Sequence, residues 1–378
     1  MRVLFISSGL GVGGAETALE RLIPHLQARR VVCEVASLRE IGEIGTRMLA
    51  VGITVHALGM QPPKPSLKGL WRLFRLIRHF KPDVIQGWMY HGNIAAQVAR
   101  LAAPRAVVLG AIHQTLARPE LDPWTTRAVI RLDAVLSHLA SRTIYVAHSA
   151  AEQHVARGYS KRTAMVIPNG FDTRRLAPDT ALRQNMRSQL GFAGDAFVIG
   201  SVGRFHPVKD HAGFLRAAIE VAQRFAHVRF VMAGAGLDER NAELAPFLAH
   251  PALQGRVSML GARDDVPDLM QAFDLFVLSS LSEGLPNVVA EAMSCAVPCV
   301  VTRVGDAPWM VADTGWVVAP NDPVTLAAGM IKAMTTDPEQ RARRGQAARA
   351  RVESEMSITG VARRYVELYN SLVPRRAV

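Results

Sequence analysis

Two carboxylates and two cations stand at spacings that could do chemistry. In "SSLSEGLPNVVAEAM", seven residues separate Glu283 from Glu291. In "IGSVGRFHPVKD", Lys209 follows Arg204 by five positions, in a turn that contains Pro207. The cations come directly after an apolar run that reads as a strand ending at Val202-Gly203. An arginine fork and a lysine point charge at the carboxyl end of a strand suit a diphosphate, although a solvated basic loop is the default for any single Arg-Lys pair. Glu283 falls in a turn with Gly284 and Pro286, and Glu291 about one turn into the helix that follows. The start of that helix, at Leu285, Asn287 and Val288, offers backbone N–H groups as a second anion seat. Glu291 shares a face with Val288 and Ala292, and an acid among apolar neighbours needs donors, which sugar hydroxyls supply. One first-turn acid alone would merely complement the helix dipole. The pair together with the cationic loop fits that plain reading poorly.

Glycines mark two further turns. "FVMAGAGLDER" ends a strand in Gly234 and Gly236, which would let a flat base or a ribose approach the backbone. At the N-terminus, Gly9, Gly11 and Gly14 spell G-x-G-x-x-G after a buried strand. A dinucleotide fingerprint needs an acid some twenty residues on, at the end of the second strand. Glu34 has the distance but lies inside the Val31–Leu38 strand, flanked by Cys33 and Val35, where it cannot reach a ribose. A tight strand-to-helix turn is part of the explanation. The N–H groups of Gly13, Gly14 and Ala15 also face outward at a helix start, where an anion is favoured.

The elements that must position these residues alternate along the chain. Strand-like runs cover Val3–Ser7, Val31–Leu38, Thr54–Leu58, Val84–Gln86, Val107–Ala111 and Thr143–Val146 in the first half, and Ala196–Val202, Val228–Gly234, Val257–Leu260, Leu275–Leu278 and Pro298–Thr302 in the second. Amphipathic helical stretches separate them, such as Ala15–Arg29 with Leu19, Leu22, Ile23 and Leu26 on one face. The pattern predicts an α/β protein of two doubly wound, Rossmann-like domains facing a central cleft, with ligands at the carboxyl ends of the strands. "VIPNGFDTRRLAP" punctuates the boundary. The expected domains are 1–168, 169–355, and a C-terminal helical segment 356–378 that crosses back to the first.

The 378 residues carry a formal net charge of +12, with 44 Lys and Arg against 32 Asp and Glu. Such a balance points to phosphates, nucleic acid or an anionic membrane surface. There is no nucleic-acid motif and no aromatic-basic interleaving of the kind that stacks bases, so phosphates and membrane lead. The three cysteines, Cys33, Cys295 and Cys299, sit in apolar runs and read as buried small hydrophobes. No apolar run reaches the length of a membrane span, and Met1-Arg2 leads directly into a strand, so the expectation is a cytoplasmic chain.

Taken together, Glu283-x7-Glu291, the Gly203-Arg204-x4-Lys209 loop, Gly13-Gly14-Ala15-Glu16 and the linker Ile167-Pro168-Asn169-Gly170 resemble the retaining GT-B glycosyltransferases of family 4, from Arg2 to about Tyr369. The resemblance implies that Arg204 and Lys209 bind the diphosphate of a nucleotide-sugar donor. It implies that Glu291 holds the ribose, and that Glu283 holds the transferred sugar and supports charge near its anomeric carbon. Gly13 and Gly14 would line the phosphates, with Gly203, Gly234 and Gly284 also at the donor. His113, in "LGAIHQT", matches the family's active-site histidine. Two departures stand out: Ala296 in "SCAVP" where the family has glycine, and Trp309 in "VGDAPWMV" where it has an acid. UDP-sugar is favoured over GDP-sugar as donor. No metal is expected, because no Asp-x-Asp ends a strand and two protein cations face the leaving diphosphate.

The acceptor is expected on the first domain. Trp88, Tyr90 and His91 in "QGWMYHGN" follow a strand and open a helix, so they could face the cleft, or could be core aromatics with a capping histidine. Along "KPSLKGLWRLFRLIRHFKPD" and just beyond it, Leu67, Leu70, Trp71, Phe74, Ile77 and Ile85 recur near helical spacing with Lys68, Arg72, Arg75, Arg78 and Lys81 between them. A basic amphipathic helix of this kind can lie on an anionic leaflet, or pack its stripe on the sheet and still turn its cations outward. A lipid-linked or glycan acceptor, an anionic membrane surface and no nucleic acid are the expected partners.

Overall fold

The computed structural model describes residues 1–60, 66–116, 123–192 and 194–374. The chain divides into two compact units, Met1–Gly170 with the segment from Ile358 onward, and Phe171–Ser357. Each is a parallel sheet with helices on both faces.

In the first unit the elements run β1 (Arg2–Ser7), α1 (Gly14–Gln27), β2 (Val32–Ser37), α2 (Gly42–Ala50), β3 (Thr54–Ala57), α3 (Leu67–Phe80), β4 (Val84–Trp88), α4 (Met89–Ala99), β5 (Val107–Ile112), α5 (Trp124–Ser137), β6 (Arg142–Tyr145), α6 (His148–Val155) and β7 (Ala164–Val166). The sheet order is β3-β2-β1-β4-β5-β6-β7. Alternate residues of β1 feed two separate cores. Val3 and Phe5 pack under α1 and α2, while Leu4 and Ile6 pack under α3 and α4. Strict alternation on a strand buried on both sides explains why it reads as a continuous apolar run. Glu34 bonds His56 on the neighbouring strand at 2.8 Å, so the mid-strand acid is spent inside the fold.

The second unit continues with α7 (Thr180–Gln189), β8 (Phe197–Val202), α8 (His211–Arg224), β9 (Val228–Ala233), α9 (Ala245–Leu248), β10 (Val257–Met259), α10 (Val266–Met270), β11 (Leu275–Leu278), α11 (Asn287–Ser294), β12 (Cys299–Thr302), α12 (Ala307–Val311), β13 (Trp316–Val318), α13 (Pro323–Thr335) and α14 (Pro338–Glu355). Its sheet order is β10-β9-β8-β11-β12-β13. α15 (Ile358–Leu372) then rejoins the first unit, where Arg29 donates to the Thr359 carbonyl at 3.0 Å. The edge strands β7 and β13 were not expected from the sequence. Each has only three residues, too few for periodicity to show.

Candidate active site

In the second unit the chain reverses direction across the sheet between β8 and β11, which are neighbours. A reversal of strand order is where ligands of open α/β sheets bind, over the carboxyl ends of the strands. The two loops there are pinned to each other. Leu281 N–H donates to the Val208 carbonyl at 2.7 Å, and the Ser279 hydroxyl donates to the Lys209 carbonyl at 2.8 Å. In consequence Lys209 Nζ donates to Glu283 Oε1 at 2.6 Å, and Ser280 Oγ donates to the same oxygen at 2.6 Å. The lysine and glutamate side chains are 24% and 12% exposed, so solvent screens the pair only weakly. Arg204 stands exposed after β8. Its carbonyl accepts from the buried ring of His211 at 3.2 Å, which ties the arginine's backbone to the start of α8.

Lys209 and Glu283, given separate partners in the sequence reading, thus form one ion pair. Ser280 was missed. Its signal was its place three residues before the acid in "SSLSE", at the end of a strand. Gly305 was missed too. It has φ +50°, and a Cβ there would collide with the carbonyls of Glu283 and Gly284; Asp306 N–H donates to Gly284 at 2.9 Å. The loop after β12 therefore props the turn that carries Glu283. Leu285 is buried, Asn287 and Val288 open α11 without a side-chain cap, and Glu291 sits half-buried in the same helix.

The glycine at 234 has a reason other than the one expected. With φ +148°, a Cβ there would strike the Gly203 carbonyl oxygen. Gly203 N–H in turn donates to Ala233 at 2.9 Å. Protein backbone, not a base or ribose, occupies the space that glycine frees. At the family-glycine position, Ala296 adopts φ +57°, a left-handed conformation that alanine disfavours. Trp309 lies under the Arg351 guanidinium at 5.3 Å, and Arg351 donates to the Trp309 carbonyl at 2.7 Å. The position of the absent acid is filled by a cation–π contact.

In the first unit the corresponding reversal lies between β1 and β4. A cavity of about 750 Å³ opens there, lined by Ser8, Gly11, Glu16, Arg39, Met60 and His91 among others. Of the three residues expected to meet an acceptor, only His91 reaches it. Burial and the nearby Arg39 charge hold its imidazole below the usual histidine range. Trp88 is 1% exposed and belongs to the core; its indole N–H donates to the Ala15 carbonyl at 2.9 Å. Tyr90 is buried, with its hydroxyl 2.9 Å from His154 Nε2. These two aromatics are internal because β4 ends at Trp88 and α4 begins at once, with Met89 at φ +64° making the turn. Arg39 was missed, though it follows a strand's end as Arg204 does.

His113 follows β5 and stacks on Trp88, ring centroids 4.3 Å apart. Both ring nitrogens are buried, and burial lowers its pKa to about 3, with Asn169 opposing the shift only in part. The ring is therefore neutral at neutral pH. Gly13 precedes α1 in extended conformation, and the Glu16 carboxylate folds back against it. Burial raises the Glu16 pKa, while a bond to its own backbone N–H opposes the shift. The protein's own acid already leans into the anion seat at Gly13 and Gly14.

Two family models match the chain at the places this geometry marks. "Glycosyltransferase Family 4" covers residues 12–175 and "Glycosyl transferases group 1" covers residues 196–336. The chain is a family 4 glycosyltransferase of GT-B fold. This glycosyltransferase is 28% identical over 312 residues to the putative glycosyltransferase EpsF of Bacillus subtilis, across 80% of this chain and 79% of that one. It is 28% identical over 245 residues to the UDP-Gal:alpha-D-GlcNAc-diphosphoundecaprenol alpha-1,3-galactosyltransferase of Escherichia coli, across 63% of this chain and 62% of that one. Among solved structures, HepE of Anabaena in complex with UDP superimposes with a TM-score of 0.87 at 25% identity, over 98% of this chain and 100% of the other. The same protein with UDP-glucose gives 0.82.

Proposed function

We propose that this glycosyltransferase moves a sugar from a UDP-sugar to a hydroxyl of a lipid-linked glycan, with retention of anomeric configuration and without a metal, in cell-surface polysaccharide biosynthesis. The Lys209–Glu283 pair at the β8/β11 reversal carries the reading, since it sets a phosphate-binding cation beside a carboxylate suited to sugar hydroxyls and developing positive charge. Arg204 and Lys209 take the diphosphate, Glu291 the ribose, and Glu283 the transferred sugar. The bond from the anomeric carbon to the phosphate oxygen breaks, the acceptor oxygen bonds to that carbon from the same face, and its proton passes to the departing UDP. Binding of UDP and UDP-glucose by HepE supports the uridine donor. The diphosphoundecaprenol acceptor of the Escherichia coli relative supports a lipid-linked one. On this reading the acceptor enters the first unit's cavity beside Arg39 and His91, and the enzyme works at the cytoplasmic face of an anionic membrane, with α3 against it.

Incubation with membrane lipid extract and a panel of UDP- and GDP-sugars in EDTA, followed by mass spectrometry and NMR of the product, tests this directly. A lipid gaining one α-linked hexose from a UDP-sugar is expected. Turnover that needs magnesium, an inverted linkage or strict GDP-sugar use overturns the corresponding part.

A further inference from the structure

The outer face of the first unit has a feature that sugar transfer does not require. α4 packs between α3 and α5, so the three helices form one layer over the sheet. α5 buries Ile130, Asp133, Ala134 and Ser137 on its inner side. Its outer side is also apolar. Trp124, Ala128, Leu132, Val135 and Leu139 fall at steps of four, four, three and four. Trp124 is 74% exposed and Val135 67%. Arg100 donates to the Leu139 carbonyl at 3.4 Å, which brings the turn carrying Leu101, 80% exposed, against that end of the stripe. On α3, Leu67 is 85% and Trp71 58% exposed, with the Arg75 guanidinium over the Trp71 ring at 5.3 Å. Single exposed apolar residues are ordinary on a protein surface, but exposed tryptophans on two helices of one layer, each with arginines on the same helix, are not.

Among the described residues, the exposed charge on this layer has one sign. Lys68, Arg75 and Arg78 stand exposed on α3, Arg127 and Arg131 on α5, and Arg100 between them. Among the described residues of α3, α4 and α5 the only acid is Asp133, and it is buried. We infer that this layer is a two-footed membrane-docking surface, with Trp71 and Trp124 entering the interface of an anionic bilayer and the arginines meeting its headgroups. Aromatic rings prefer that interface, and each cation near an anionic leaflet adds attraction. A second copy of the chain is the poorer occupant, because an isologous contact would set cations against cations. The inference deepens the membrane side of the proposed function, and it stands on exposure and charge rather than on the chemistry of transfer.

The test is co-sedimentation of the full chain with vesicles of phosphatidylcholine, with and without about one quarter phosphatidylglycerol, at low and high salt. Binding should require phosphatidylglycerol and be lost at high salt. The double variant Arg127→Glu/Arg131→Glu should lower the partition coefficient by about fivefold or more per arginine. Trp124→Ser should weaken binding, and Trp71→Ser should weaken it independently. Arg343→Glu, on exposed α14 of the other unit, changes the net charge without touching the layer and should bind like wild type. UDP affinity should be unchanged in all of these, which separates a failure here from a failure of the donor assignment. Equal binding by Arg127→Glu/Arg131→Glu and Arg343→Glu overturns the inference. So does a wild-type dimer that these α5 variants dissociate.

Discussion

Lys209 and Glu283 are 74 positions apart in the chain and 2.6 Å apart at their charged ends. The topology accounts for this, since their loops leave neighbouring strands at the one place where the sheet reverses order. The pair has a consequence for binding. In the free protein the lysine is already neutralised, so a donor phosphate must compete with the carboxylate for it.

Glu283→Gln should therefore separate binding from catalysis. It keeps the side chain's shape and releases Lys209 to the phosphate. Isothermal titration with UDP should show binding several-fold tighter than wild type, while kcat falls about 100-fold or more because charge at the anomeric carbon loses its partner. Lys209→Ala should instead weaken UDP binding by about 1.5–3 kcal/mol. Equal weakening of UDP in both variants would mean that the intact pair, not the freed lysine, supports UDP binding, and the competition between carboxylate and phosphate would fall.

Ser280 sharpens the same point. Its hydroxyl donates to the oxygen of Glu283 that Lys209 also holds, and Thr302 donates to the Ser280 carbonyl at 2.7 Å from the neighbouring strand. Ser280→Ala leaves the acid charged and paired with Lys209 but removes one of the bonds that fix its orientation. Loss of one such bond should lower kcat about tenfold, the rate equivalent of about 1–1.5 kcal/mol, with the donor KM nearly unchanged. A raised KM at full kcat contradicts a positioning role.

Two alanines hold backbone conformations that favour glycine. Ala296 has φ +57°, and Ala312 has φ +44° with ψ −121°. Ala296→Gly and Ala312→Gly should each stabilise the fold by about 0.5–1.5 kcal/mol, since the strain relieved exceeds the added freedom of the unfolded chain. Denaturant unfolding measures this. For Ala296, whose carbonyl packs where a Cβ on Gly345 would lie, a loss of stability would show that the methyl's contacts outweigh the strain.

What the sequence made legible follows the same physics. Periodicity and the glycine turns were enough for two parallel α/β units, because strands such as β1 are buried on both faces and read as unbroken apolar runs. Loop residues at strand ends were legible where a charge made them conspicuous, as at Arg204 and Glu283. The pairing of Lys209 with Glu283 was not, because strand order is invisible in a linear reading. Trp88 and Tyr90 were misplaced for a related reason. A sharp turn at Met89 sends both rings inward, and no residue type announces a left-handed methionine. Gly234 was read for a ligand when its neighbour is Gly203, a contact that only the β8–β9 pairing creates.

The last prediction concerns acid. His113 and His154 are buried, with pKa values lowered to about 3 and about 4 mainly by that burial. In the unfolded chain both titrate near 6.5. Between those values the unfolded state binds more protons than the native state, so their contribution to stability is complete above about pH 6.5 and declines as pH falls. The decline approaches about 1.4 kcal/mol per pH unit for each ring. His113→Phe keeps an aromatic ring over Trp88 and removes one titrating group. It should therefore flatten the acid limb of the stability profile, and gain on wild type by more at pH 5 than at pH 8. Urea unfolding at the two pH values measures the difference. Parallel acid limbs in wild type and variant would show that the His113 ring takes up its proton in the folded protein, and a neutral role for it beside the reacting sugar would fall with that result.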